Sequence, residues 1–125
     1  MDKAQAINTF WNSFGISAYD ESTVPMGDDA PQFPYITYNV FMDSLGNVVT
    51  LNASLWDKGY SWERISKKAK QIAKAIGENG FITIPIDGGY LWITKGTPFA
   101  QRMTDPDELI RRIYLTLNVE FLTAY

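Results

Sequence analysis

The chain has 125 residues with 14 acidic and 11 basic side chains, a formal charge of −3, and 46% hydrophobic and 14% aromatic residues. This length fits one domain spanning residues 1–125, and the composition excludes intrinsic disorder. Cysteine and histidine are absent, which excludes disulfides, thiol and histidine catalysis, and the commonest ligand sets for transition metals.

Charge and hydropathy narrow the class of partner. The net negative charge provides no basic footprint for binding nucleic acid. No apolar stretch approaches the roughly 20 residues needed to cross a bilayer, and the first residues lack a cleavage pattern. We therefore expect no signal peptide, no membrane contact and folding in the cytoplasm.

The N-terminal segment 2–14 is predicted to be an amphipathic helix that ends at Gly15. Its apolar residues recur at helical spacing: Ile7, Phe10, Trp11 and Phe14. A short strand is predicted over 16–20. The segment 21–34 is predicted to be an irregular loop, because it concentrates proline, glycine and aspartate.

Two strands are predicted next, over 35–43 and 47–56, with a tight turn at 44–46. The second alternates apolar and polar residues, so one of its faces is buried. The first is apolar or aromatic on both faces, which predicts the more central strand.

A second amphipathic helix follows, with Ser61 as its N-cap and Gly77 at its end. Its apolar stripe consists of Ile65, Ala69, Ile72, Ala73 and Ile76. Its four lysines lie away from the centre of that stripe. They form either a solvated helix face or a docking patch for an acidic partner.

The clearest hairpin joins segments 81–86 and 90–95 through the turn Asp87–Gly88–Gly89. Pro85 cannot donate a ladder hydrogen bond, which predicts an edge strand. Segment 96–108 is predicted to be long and irregular, with a helical turn starting at Asp105 or Asp107.

The final segment, 112–121, alternates apolar and polar residues and is predicted to be a strand. The expected fold is α+β, a two-layer sandwich. A mostly antiparallel mixed sheet of five to six strands carries two amphipathic helices on one face. The other face is polar with aromatic residues, and it faces water, lines a channel or meets another subunit.

Few residues support catalysis. The acidic groups, Asp28 with Asp29 and segment 105–108, lie at predicted turns and lack the spacing of a calcium loop. The pair Gly88–Gly89 lacks the downstream Lys-Ser or Lys-Thr of a phosphate-binding loop. We predict no enzymatic activity, no cofactor and no metal site.

Several segments, in their order and spacing, resemble minor tail proteins of long-tailed phages and prophages, above all the tail terminator family of phages with non-contractile tails. These segments are 53–56 (ASLW), 61–65 (SWERI), 87–90 (DGGY), 90–103 (YLWITKGTPFAQRM), 110–115 (IRRIYL) and 120–125 (EFLTAY). The resemblance covers about 35–125, with the first helix in the expected place.

The resemblance implies a structural virion protein that assembles in the host cytoplasm. Its hexameric ring would cap the tail tube, end tube polymerisation and present a surface to head-completion or connector proteins. DNA would pass through the ring without specific binding, which suits a chain of charge −3. Another neck, connector or tail-tube role stays open, as does a monomeric ligand-binding domain whose aromatic residues line a pocket.

The segment 96–107 is our hypothesis for the subunit interface, because Phe99 and Met103 beside Arg102 are typical of an interface anchor. Tyr90 and Trp92 of the hairpin are included in this hypothesis. The alternative is a loop folded over its own core.

A second hypothesis concerns the loop 21–34, which holds Met26 close to Asp28 and Asp29. We expect these three residues to contact the tail tube or the head side.

Overall fold

The computed structural model describes residues 1–40, 48–77 and 80–123. The fold is α+β, as predicted, with two α-helices and a six-stranded mixed sheet. The sheet curls into a half-barrel, and the two-layer sandwich expected from the sequence is not confirmed. The elements are α1 (Lys3–Trp11), β1 (Ala18–Asp20), β2 (Tyr35–Tyr38), β3 (Val48–Lys58), α2 (Glu63–Ile76), β4 (Phe81–Ile86), β5 (Gly89–Met103) and β6 (Ile110–Thr123).

Helix α1 begins with a capping box, in which the Asp2 carboxylate accepts a hydrogen bond from the Gln5 backbone N–H at 2.8 Å. Its predicted apolar stripe is buried. A 3₁₀ turn, Asn12–Phe14, extends the helix to Gly15, whose φ of 84° ends it. The first helix and its end at Gly15 are therefore confirmed, but the α-helix itself is shorter than the predicted 2–14.

The sheet order is β1-β2-β3-β6-β5-β4, with β1 parallel to β2 and the other pairs antiparallel. The prediction that the strand beginning at Tyr35 is the more central one is wrong, because β3 and β6 occupy the middle. The predicted turn at 44–46 lies outside the described residues. Between β1 and β2, segment 21–34 is irregular, as predicted, apart from a 3₁₀ turn at Gly27–Asp29.

The N-cap of helix α2 is Trp62, one residue after the predicted Ser61, although the Ser61 Oγ accepts a hydrogen bond from the Glu63 N–H at 3.0 Å. The stripe faces the sheet, with Ile65, Ile72 and Ile76 fully buried. The helix ends at Gly77, as predicted.

The hairpin of β4 and β5 is confirmed, with Ile86 opposite Gly89 and Gly88 at a φ of 82°. Strand β4 is the edge of the sheet, as Pro85 predicts.

The prediction that segment 96–108 is irregular is largely wrong, because β5 continues to Met103. Lys95 lies opposite Leu117 and Ala100 opposite Leu115, so residues 96–99 bulge opposite Thr116. Gly96 makes this possible, since a Cβ there would lie 2.5 Å from the Thr116 Cγ2.

The predicted helical turn after Met103 is a single hydrogen-bonded turn and not a helix, closed by the Ile110 N–H, which donates to the Asp107 carbonyl at 3.0 Å. The Asp105 carboxylate accepts a hydrogen bond from the Asp107 N–H, and the Asp107 carboxylate accepts one from the Leu109 N–H, both at 2.9 Å. These are turns stabilised by aspartate side chains, and β6 begins directly after them.

One face of the sheet and both helices enclose the core. Its largest fully buried side chains are Trp11, Ile36, Leu55, Ile65, Ile72, Ile76, Ile93, Leu115 and Leu117. The opposite sheet face, which we call the open face, carries the alternate residues of the same strands.

Candidate interaction surfaces

A row of aromatic and cationic side chains crosses the open face. The strand register places Tyr35 beside Trp56 and Trp56 beside Arg112. The Arg112 Cζ lies 4.8 Å from the centroid of the Trp56 ring and 5.4 Å from that of Tyr114. The guanidinium therefore makes cation–π contacts with two rings.

Hydrogen bonds fix the orientation of this row. The Arg112 Nε donates to the Ser54 Oγ at 2.9 Å, and the Trp56 Nε1 donates to the Thr37 Oγ1 at 2.8 Å. The row borders a cleft of about 360 Å³, which Glu21 also lines. A guanidinium held in this way has the geometry to bind a carboxylate through its remaining N–H groups.

Tyr35 anchors the other end of the row. Its ring stacks on Trp56 at 6.4 Å and an interplanar angle of 21°, and lies 5.2 Å from the Phe33 ring. Burial raises the pKa of the Tyr35 phenol above its ordinary value of 10.0. This shift favours the neutral phenol, which can donate a hydrogen bond.

A second aromatic cluster occupies the far end of the open face. Trp92 stacks on Phe81, with ring centroids 4.1 Å apart and an angle of 16°. Tyr90, two residues away on β5, is 36% exposed. Trp92 lies opposite Glu120 in β6, so at about 3.3 Å per residue the cluster is about 26 Å from Arg112.

The structure separates the three residues predicted to form one interface anchor. Phe99 is half-buried and packs against the core, as the alternative reading of that segment expects. Arg102 and Met103 are consecutive strand residues, so their side chains lie on opposite sheet faces. Met103 is 36% exposed. The segment is therefore a strand and not a loop, and Arg102 and Met103 reach the surface on opposite faces. Whether these residues contact another subunit stays a prediction.

Arg102 instead forms a cluster that the sequence analysis missed. Its Cζ lies 4.7 Å from the Trp62 ring centroid, and the Arg111 Cζ lies 5.5 Å from the same centroid. The Arg111 Nη1 also donates to the Glu108 carbonyl at 2.6 Å. The sequence around Trp62 does not predict this contact, because Arg102 lies on β5 and Arg111 on β6.

The residues predicted to contact the tube or head lie together on the loop between β1 and β2. Met26 is 85% exposed, and Asp28 and Asp29 are exposed in the turn Gly27–Asp29. One short turn thus presents an apolar side chain and two carboxylates to solvent.

The free edge of β5 is a further surface. Strand β4 pairs with β5 only as far as Thr94, and within the described ranges no strand pairs with the outer edge beyond it. From Thr97 to Met103 every residue except Phe99 is exposed. Pro98 in the bulge has no N–H to donate, so the regular part of this edge, residues 100–103, is the part that presents backbone N–H and C=O groups to a partner.

The acidic groups considered for catalysis have structural contacts or lie at turns. In the part of the chain that the structure describes, no three His, Cys, Asp or Glu side chains are arranged to hold a metal ion. Neither helix of the described ranges is long and apolar enough to span a membrane.

No protein-family model matches the chain, and no curated protein sequence matches it.

Proposed function

We propose that this chain is a structural tail protein of a phage with a long non-contractile tail. It forms a ring, with six copies expected, that caps the tail tube. The ring ends tube polymerisation and provides the surface for head–tail joining. The protein acts in the virion tail after assembly in the host cytoplasm, and it acts without catalysis.

The free edge of β5 carries this proposal. Monomeric proteins protect strand edges with short strands, charges or covering elements, because an open edge pairs with other chains. Here the regular part of the edge extends over residues 100–103, and each of these residues is exposed. Association with another chain would satisfy these backbone groups. The sequence resemblance supplies the specific role.

The open face supports the same proposal. Its two aromatic clusters place tyrosine and tryptophan on a surface, and both residue types are enriched at the centres of interfaces. In a ring, this face would contact a neighbouring subunit, contact the tail tube or line the channel. The net charge of −3 per copy disfavours binding of DNA phosphates by the ring as a whole.

A ligand-binding domain is the second candidate, and the cleft beside Arg112 favours it. Its volume of about 360 Å³ falls in the range of small-molecule sites, about 300–1,000 Å³. Such a domain would remain monomeric and would bind a carboxylate-bearing ligand through the guanidinium.

Native mass spectrometry or sedimentation over a range of concentrations tests the proposal, because association follows mass action. A ring-forming subunit gives a species at a multiple of 14.2 kDa, with six copies expected. A chain that stays monomeric at every concentration, with and without tail tubes, contradicts the proposal and favours the ligand-binding domain.

A further inference from the structure

A groove of about 230 Å³ lies between α2 and the free edge of β5. Buried Ala69 and Ile113 contribute an apolar floor, and exposed Lys70 and Arg102 border it. We call it the α2–β5 groove. Small-molecule pockets have volumes of about 300–1,000 Å³, and this groove is smaller. It therefore suits a side chain from a protein partner better than a cofactor.

The two cations of the groove, Lys70 and Arg102, have no ion-pair partner among the described residues. The cation–π contact with Trp62 holds the Arg102 guanidinium in place. The groove therefore combines an apolar floor with two cations, which fits an apolar side chain flanked by carboxylates.

The loop between β1 and β2 has this composition. Met26 is 85% exposed, and the flexible methionine side chain adapts to irregular cavities. Asp28 and Asp29 follow in the turn Gly27–Asp29, which a hydrogen bond from the Ala30 N–H to the Gly27 carbonyl closes at 3.1 Å.

The charges around the two surfaces are opposite in sign. Segment 20–29 contains four acidic residues and no basic residue, whereas α2 contains five basic residues and one acidic residue. Complementary charges steer association and fix the register of an interface. A second copy of the chain thus carries the partner that the α2–β5 groove requires.

We propose that Met26 of one copy inserts into the α2–β5 groove of the next copy. In this contact Asp28 and Asp29 pair with Lys70 and Arg102. The inference rests on the proposed function, because it requires self-association. It assigns the loop to a neighbouring subunit and not to the tube or head.

The position of the two surfaces is consistent with a ring. The loop adjoins β1 at one edge of the sheet, whereas the groove adjoins β5 near the other. Contact between two different surfaces of identical chains is heterologous, and heterologous contacts close rings when the rotation between subunits permits.

Cysteine cross-linking tests the contact, because the chain has no cysteine of its own. Chains with Met26→Cys are mixed with chains carrying Ala100→Cys, an exposed residue that lines the groove, under mild oxidation. We expect a covalent dimer of the two variants. The matched control replaces the second variant with Val48→Cys, which is 62% exposed on β3. Equal dimer yields with Ala100→Cys and Val48→Cys overturn the proposal.

A charge swap tests the pairing. Asp28→Lys with Asp29→Lys should lower the cross-linking yield about tenfold. A partner chain with Lys70→Glu and Arg102→Glu should restore it. Unfolding midpoints of all variants identify any loss of fold. A folded swapped pair that fails to cross-link overturns the assigned ion pairs.

The mass of the unmodified chain separates this inference from the proposed function. If the chain assembles but no cross-link forms through the groove, only the inference fails. If loop variants assemble normally but do not join tubes or heads, the loop contacts those partners and the inference is again wrong. If the unmodified chain never associates, both proposals fail.

Discussion

Asp57, near the end of β3, holds Arg64, in the first turn of α2, through two hydrogen bonds to its guanidinium. The Arg64 Nε lies 3.0 Å from Oδ2, and its Nη2 contacts Oδ1. The Asp57 side chain is 4% exposed and that of Arg64 is 60% exposed. This pair therefore anchors the first turn of α2 to β3.

Arg64→Ala should therefore lower the urea midpoint of unfolding, because it leaves a buried carboxylate without its cationic partner. The matched control is Lys74→Ala on the same helix, which lies outside the α2–β5 groove and pairs with no carboxylate of the described residues. We expect the control to unfold at the midpoint of the unmodified chain. Equal midpoints for the two variants would contradict the structural role of the pair.

Arg112→Met should destabilise the chain by about 1 kcal/mol, because it keeps the apolar stem but removes the cation–π contacts and the hydrogen bond to Ser54. Ser54 is 4% exposed, so water does not fully replace the lost donor. Chemical denaturation measures the change. The stability of Arg112→Lys should lie between that of the unmodified chain and that of Arg112→Met, because lysine keeps the charge but lacks the planar guanidinium. Unchanged stability of Arg112→Met would show that the row on the open face is not structural.

Gly96→Ala should destabilise the chain by about 1–3 kcal/mol through overpacking at the β5 bulge. The new Cβ would lie 2.5 Å from the Thr116 Cγ2 and 2.9 Å from the Thr116 carbonyl oxygen. Adding Thr116→Ser, which removes Cγ2, should restore part of this loss, whereas the carbonyl contact should persist. The bulge geometry is wrong if thermal denaturation shows Gly96→Ala to be as stable as the unmodified chain.

The pair of Glu63 and Lys67 predicts a pH dependence. The hydrogen bond from the Lys67 Nζ, at 2.8 Å, lowers the pKa of Glu63 below its ordinary value of 4.5. A carboxyl group with a lowered folded pKa stabilises the fold above its unfolded pKa, and this contribution is lost as the pH falls through the folded value. At neutral pH the unmodified chain should thus have a higher thermal midpoint than Glu63→Gln.

That difference should disappear in acid, below the lowered pKa of Glu63. High salt should also reduce it at neutral pH, because both side chains are exposed and salt screens the pair. A difference that is the same in neutral and acidic solution would rule out the ion pair as its source.

Local patterns predicted most of the elements correctly. The alternation along β6, the Gly88 turn and the stripe of α2 are each properties of a short segment, and each was confirmed. The path of β5 was not predictable in this way. Gly96 and Pro98 are typical of a loop, and the strand continues past them only because β6 offers a long partner.

The interaction surfaces were predicted less well, since they join residues that are distant in sequence. Trp56 and Arg112 are neighbours because β3 pairs with β6, and strand pairing cannot be read from alternation alone. The contact between Arg102 and Trp62 likewise depends on how α2 packs over the sheet. The exposure of Met26, Asp28 and Asp29 could be predicted from the sequence, because the three residues lie at one short turn.

The length of tails on particles made without this chain tests the proposed function most directly, and electron microscopy measures it. A tail terminator predicts tails of uncontrolled length, because nothing ends polymerisation of the tube. Tails of uniform, normal length would contradict the proposal, and a failure of such tails to join heads would identify a connector.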